Sequence, residues 1–576
     1  MERLYRIQVK GTLLMMLTLS LTILVSCATP VEQKKESQGS TEDMMLERFS
    51  LLDMSLMIGA ATSRPFISQV MYSGRLALPI NRDRFVRFDP NPIKLTTEEP
   101  VSTFSIDVDT ASYAFVRRSL YSGVLPPKDA VRIEEMLNYF DYAYPLPQGR
   151  DPPFRLSTWF YPTPWNPDTR ILQIGIKGFD IKPEQRPRAN LVFLVDTSGS
   201  MSPSDRLPLI KQGLRLLVNE LEPSDTVAIV VYAGQAGIHL ESTSGSNKSR
   251  ILGAINELQA RGFTAGGEGI RQAYALAERN YDPDAVNRVI LATDGDFNVG
   301  ITDPEQLKGF VARKRQSGIY LTILGVGRGN YNDALMQQLA QAGNGNAAYI
   351  DTLKEARKVL VEEMASNLFP IANDVKIQVE FNPAHVVEYR LIGYETRMLG
   401  RDDFRNDDVD AGDIGSGHTV TALYEIVPLG SPARLTEPLR YGNETFYPES
   451  TEHGEVAFVK MRYKLPGEDV SKPLEQVVLS SDLLDVDRLP LEARFAAAVA
   501  AFGQRLKDMP YLGDFGFEEI LALALDARGE DVFGYRAEFV DLIRAAKSAS
   551  SMPVLEMNKP LGSATALPSI KHKPDF

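Results

Sequence analysis

LVFLVDTSGSMS, residues 191–202, is the stretch whose reading decides the fold. Leu191 to Val195 form an unbroken apolar run, the text of a parallel strand buried on both faces. The run ends in Asp196-Thr197-Ser198-Gly199-Ser200, small oxygen-bearing side chains around one glycine. Oxygen groups crowded at the end of a buried strand are costly unless something pairs with them. A hard divalent cation suits them, because such ions take oxygen ligands. The same string also fits a plain strand-to-helix loop, with Asp196, Ser198 and Ser200 accepting backbone N–H bonds.

Working outward, strands are expected at 191–196, 226–233, 288–294, 320–326 and 347–350. Helices are expected between them at 204–221, 248–259, 267–280, 304–317 and 332–342, with a closing helix at 353–367. Strand and helix in turn imply an α/β fold, a doubly wound, mostly parallel sheet covered on both faces. Such sheets bind ligands beyond the carboxyl ends of their strands, where the strand order switches. Two more stretches point to that edge. Thr264 lies in GFTAGG, a loop before a helix, and Asp294 ends the apolar strand RVILATD. Ser198, Ser200 and Thr264 would offer hydroxyls there, and Asp196 and Asp294 carboxylates. Magnesium prefers octahedral oxygen coordination and keeps some of its waters. Hydroxyls can bind it directly while the aspartates hold water ligands, leaving one corner open. Asp296 and Glu268 are candidates for the rim. Taken singly, Thr264 reads equally as a helix cap and Asp294-Gly295-Asp296 as a turn. GVGRGN at 325–330 lacks the last glycine of a dinucleotide fingerprint.

Asp196, Ser198, Ser200, Thr264 and Asp294 together resemble, without a gap, the metal-ion-dependent adhesion site of a von Willebrand factor type A domain, here covering residues 188–368. SIDVDTASY, LPPKDAVRIEEMLNYFDY and GHTVTALYE resemble a bacterial lipoprotein branch of that superfamily. That branch has an extra N-terminal von Willebrand-associated segment and an uncharacterised C-terminal domain. The resemblance implies Mg²⁺, with Mn²⁺ or Ca²⁺ as alternatives, held by those five residues. It also implies a protein partner whose acidic side chain fills the open corner, and a closing helix that shifts on occupancy.

The chain has 576 residues, which calls for several cores. A formal net charge of −13 argues against a nucleic-acid partner, since phosphate contacts need a surplus of Lys and Arg. The one cysteine, Cys27, excludes an internal disulfide, and His239, His385, His418, His453 and His572 lack zinc-site spacing. Residues 1–26 read as a signal peptide, with basic Arg3, Arg6 and Lys10 before a short apolar run. Leu24-Val25-Ser26-Cys27 resembles the bacterial lipobox, which implies a lipid anchor on Cys27. Ala28 after it implies, by resemblance to Gram-negative sorting, the outer membrane.

The remaining boundaries follow composition. Residues 27–100 read as a tether and irregular segment, and 101–187 as an N-terminal segment with strands. Within the latter, a helix at 112–122 is broken by Pro126-Pro127, and Asp129 is placed to cap a second through Tyr139. Asp107-Val108-Asp109 has Ala111 where a haloacid-dehalogenase phosphatase needs Thr or Val, so the acidic pair reads as the end of a strand. Residues 369–470 read as β-rich, which with the strands at 154–179 suggests one sandwich interrupted by the α/β module. The acidic loop at 402–413 lacks EF-hand spacing and reads as a solvated hairpin. Residues 471–550 read as a helical region with an alanine-rich packing face, and 551–576 as a tail.

The function expected is a cell-envelope lipoprotein that binds a protein partner through Mg²⁺ and is not an enzyme. One alternative is a metal-assisted hydrolase; against it, the three motifs hold no His or Lys as general base, and no G-x-S-x-G elbow exists. The other is an envelope scaffold whose metal is structural only.

Overall fold

The central sheet has six strands, in the order Ala347–Ile350, Ile319–Val326, Ala285–Thr293, Arg188–Asp196, Thr226–Tyr232 and Ala236–Ser244. The computed structural model describes residues 83–552 apart from 183–184, 234–235, 262–268, 296–302, 364–365, 367 and 438–453. The expectations for the signal peptide, Cys27, the first part of the tether, Thr264, Glu268, Asp296 and the tail from 553 lie outside the described residues. Every neighbouring pair in the sheet is parallel except Thr226–Tyr232 with Ala236–Ser244. The chain winds from Arg188–Asp196 to one edge, then returns to its other side and winds to the opposite edge. The strand order therefore switches beside Arg188–Asp196.

Burial explains the apolar run. Phe193 and Val195 pack with the helices Leu207–Glu220 and Lys248–Glu257, while Val192 and Leu194 pack with Gly269–Arg279, Pro304–Gln316 and Asp333–Ala342. The antiparallel edge strand Ala236–Ser244 was not among the expected strands. As a partly exposed edge strand it lacks the continuous apolar text of its neighbours, and Leu240 and Thr243 are its buried residues.

Two further sheets share a core. One runs Lys94–Leu95, Val386–Ile392, Thr419–Pro428, Asn166–Gly178, Phe154–Thr163. The other runs Gly412–Gly415, Pro370–Phe381, Glu455–Lys464, Lys472–Leu479, with Val101–Ser105 also paired to Pro370–Phe381. Ile174, Ile176 and Tyr424 of the first meet Ile377, Val379 and Met461 of the second. Each sheet takes strands from both sides of the α/β module, so the module interrupts the sandwich, as its flanking text suggested.

The helices Leu491–Lys507, Phe517–Asp526 and Tyr535–Ser551 pack against Ala111–Tyr121 and Ile133–Asn138. Ala496, Ala497, Ala498, Ala500 and Ala501 are fully buried there, so the alanine face is helix packing. Among the described residues no helix is long and apolar enough to cross a membrane.

Several local expectations are corrected. The helical region does not begin at 471: Lys472–Leu479 is a strand, whose alternating burial betrays a period of two. Asp129 caps nothing; it lies in a 3₁₀ turn, and the helix Ile133–Asn138 starts at Arg132 without a side-chain cap. The closing helix is not α-helical throughout: after Leu353–Arg357 it passes into a π-helical turn, Lys358–Glu362. The acidic loop is not a solvated hairpin. Asp407 is bonded by Ser471 and Arg462, and Asp413, on the paired strand Gly412–Gly415, is pushed up to about 7 by burial.

One arginine joins three of these parts. Arg117, on Ala111–Tyr121, is 1% exposed and reaches Asp351, Glu355 and Glu538. Its Nε donates to Asp351 Oδ2 at 3.0 Å, one Nη1 bond goes to Glu538 Oε1 at 2.9 Å, and Nη2 donates to Glu355 Oε2 at 2.8 Å. Removing one member of a buried ion pair leaves uncompensated charge, which costs about 3–5 kcal/mol. Arg117→Met is expected to lose stability on that scale, measured as a lowered denaturant midpoint; an unchanged midpoint would show the cluster to be dispensable.

Candidate metal centre

Arg188–Asp196 and Ala285–Thr293 are adjacent parallel strands, in register with Val195 opposite Ala292. That register sets Asp196 beside Thr293 and carries Asp294 to the same edge one residue later. Both carboxylates are buried, at 0% and 2% exposure. Gly295 makes the tight exit after Asp294. Its φ is +97°, and a Cβ there would lie 2.6 Å from the Asn330 carbonyl oxygen, so only glycine fits.

The first loop turns back on its own aspartate. The Ser198 N–H donates to Asp196 Oδ1 at 2.8 Å, and the Ser198 and Ser200 hydroxyls pair at 2.9 Å. The Thr293 hydroxyl faces Asp196 Oδ2 at 3.4 Å. Burial, opposed by the bonds from Ser198 and assisted by the Asp294 charge, raises the Asp196 carboxyl to about 6. Four of the expected site residues, Asp196, Ser198, Ser200 and Asp294, thus meet where the strand order switches. Thr264 lies outside the described residues, but those flanking it are placed. The Arg261 N–H donates to the Thr197 carbonyl at 2.7 Å, and Gly269 packs against Leu194 and Tyr232.

Two participants escaped the sequence reading. Tyr232 ends the neighbouring strand opposite Asp196, and its hydroxyl lies near Asp196 and Thr293. Its place at a strand end was the available signal. Arg206, just before the helix Leu207–Glu220, reaches back to pair with Asp294 Oδ2 and donates to the Ser200 carbonyl at 2.7 Å. Its spacing carried no signal, because a long side chain can reach in many directions.

The donor set fits a hard cation. Asp294 Oδ1 is buried and has no hydrogen-bond partner among the described residues. The Ser198 hydroxyl is fully buried and pairs with that of half-buried Ser200. Carboxylate and hydroxyl oxygens without nitrogen or sulfur suit Mg²⁺ better than softer ions.

A second acidic group, Asp107, Asp109 and Glu135, has carboxylate oxygens within 4.8 Å of one another. Arginines already fill it. Arg397 donates to Asp107 at 2.9 and 3.0 Å and to Asp109 at 2.9 Å, and Arg132 bridges Glu135 to Asp333. The strand Val101–Ser105 ends just before the Asp107–Asp109 string, as expected, and the acids tie the N-terminal segment to its neighbours.

Family models match three stretches of the chain: von Willebrand factor at 79–173, von Willebrand factor type A domain at 190–362, and Uncharacterized protein YfbK, C-terminal, at 366–549. The Uncharacterized protein YfbK of Escherichia coli (strain K12) is 46% identical over 476 residues, covering 81% of this chain and 82% of that protein. The chain belongs to the YfbK family. Outside this family, human Inter-alpha-trypsin inhibitor heavy chain H4 is 28% identical over 236 residues, 38% of this chain and 25% of its own. The solved von Willebrand factor type A protein from Catenulispora acidiphila covers 68% of this chain and 89% of its own, with 16% identity and a TM-score of 0.38.

Next to the arginine-filled group lies Glu134, fully buried, with Oε2 accepting the Tyr394 N–H at 2.9 Å and Oε1 without a partner among the described residues. Burial first, then the Glu395 and Asp107 charges, raise its carboxyl to about 8, with Glu135 adding to them. The folded state thus holds a proton that the unfolded chain releases near 4.5. Its stabilisation is complete below that value and is lost as pH rises through about 8. Wild type is expected to lose melting temperature between about pH 4.5 and 8 and to level off above, and Glu134→Gln to lose less over that range; parallel pH profiles would contradict this.

Proposed function

We propose that this chain is a lipid-anchored envelope protein that captures a protein partner through a divalent cation. The von Willebrand A domain makes it a protein-interaction type of molecule, and the finer reading rests on one observation. Asp196, Ser198, Ser200 and Asp294 converge on the switch point of the sheet, with Asp294 Oδ1 unpaired among the described residues. In this reading Ser198, Ser200 and Thr264 bind Mg²⁺ through their hydroxyls, and Asp196 and Asp294 hold its water ligands. The bound ion supplies positive charge with one exchangeable position, which an acidic side chain of the partner takes. Cys27 carries the acyl anchor, and the outer membrane is the proposed location.

The same reading makes the chain a binder and not a catalyst. Arg206 is the basic group paired with Asp294, and a guanidinium, which donates and does not accept, is no general base. His239 bonds the Ala254 carbonyl, and His418 receives the Gly415 N–H, both away from this edge.

Calorimetric titration of the full chain with Mg²⁺ tests the reading. Wild type is expected to bind one ion, and Asp196→Ala none, with an unchanged circular dichroism spectrum. Equal Mg²⁺ affinity in the two would refute the ligand assignment. For an identified partner, EDTA is expected to abolish binding. If chelation lowered only the melting temperature and left capture intact, the metal would be structural.

A further inference from the structure

The role of Arg206 goes beyond that reading and rests on it. We propose that Arg206 is a tethered cation that neutralises the acidic seat when no metal is bound, and that a divalent ion must displace it to bind. The guanidinium pairs with Asp294 Oδ2 and donates from Nη1 to the Ser200 carbonyl at 2.7 Å and from Nη2 to the Arg328 carbonyl at 3.2 Å. It thereby spans the loops after three different strands. The side chain lies on the bare backbone of Gly327, at φ +80°, where a Cβ would come within 2.4 Å of Nε. A side chain at that position would press on the Arg206 stem.

The contacts are those of a substitute ion. Arg206 takes one Asp294 oxygen and the main-chain oxygen of Ser200, a residue whose hydroxyl is assigned to the metal. The other Asp294 oxygen, Oδ1, has no partner among the described residues. The Arg206 Nε is likewise buried without a partner among them, so the guanidinium is held by part of its donors only. That leaves it stable in place yet open to displacement. A divalent ion held by Asp196, Ser198 and Ser200 would stand beside a positive charge on Asp294, and like charges in a poorly solvated site repel strongly. The arginine therefore weakens metal binding and protects the empty protein from an uncompensated anion.

Titration of the full chain with Mn²⁺ alone separates this from a supporting role. Arg206→Met is expected to bind Mn²⁺ about tenfold tighter than wild type or better. In EDTA it is expected to melt below wild type, and Mn²⁺ is expected to raise its melting temperature by more, since the ion then supplies the only countercharge. Arg206→Lys, which cannot reach the carboxylate and both carbonyls at once, is expected to bind with intermediate affinity, and it carries the test if the Met variant does not fold. Equal or weaker Mn²⁺ binding by the variants, with wild type binding and Asp196→Ala not, would overturn the proposal and leave the metal centre standing. Absence of Mn²⁺ binding in all of them would overturn both.

Discussion

Two carboxylates, Asp196 and Asp294, stand side by side at the dry lip of a parallel sheet, and a buried pair of anions cannot persist without positive charge nearby. That constraint shapes everything around them. It accounts for the Ser198 N–H turned back on Asp196, the raised Asp196 carboxyl, the reach of Arg206 across three loops, and the glycines that let those loops close in. The apolar strands beneath hold the carboxylates in place, because a slip of one register step in Arg188–Asp196 would move its fully buried core.

The same chemistry recurs away from the candidate metal centre with a different outcome. Where the sandwich, the N-terminal segment and the helical region meet the α/β module, buried acids are matched by arginines: Arg397 with Asp107 and Asp109, Arg132 with Glu135 and Asp333, Arg117 with Asp351, Glu355 and Glu538. Such ion pairs add little net stability but penalise every arrangement that separates the partners. They fix how the parts dock. Asp294 Oδ1, like Glu134 Oε1 and Glu355 Oε1, has no partner among the described residues; what sets the sheet edge apart is that the Ser198 and Ser200 hydroxyls meet two carboxylates there.

Short-range text carried much of this. The run Leu191 to Val195 gave the central strand, alternation gave the sheet, and the strand ends brought Asp196, Ser198, Ser200 and Asp294 to one edge. Strands without a strong local pattern were harder: Ala236–Ser244 is half-exposed at an edge, and Lys472–Leu479 is too polar to stand out beside the helices that follow. The arginine contacts were not readable at all. Arg397 and Asp107 lie 290 positions apart, and a long flexible side chain leaves no periodic trace of where it ends. Arg206 is close in sequence to the Asp196 loop, yet its partner Asp294 is 88 positions away. In the π-helical turn of the closing helix, Lys358 lies over the Tyr139 and Tyr535 rings, contacts that the helix's own residues do not announce.

Anomalous diffraction from crystals of the full chain grown with Mn²⁺ addresses the central claim most directly. The expected result is one strong peak about 2.0–2.3 Å from the Ser198 and Ser200 hydroxyl oxygens, with Thr264 completing the shell and Arg206 moved off Asp294. A peak among Asp107, Asp109 and Glu135 instead, or none at the sheet edge with Arg206 still on Asp294 at saturating Mn²⁺, would contradict the account.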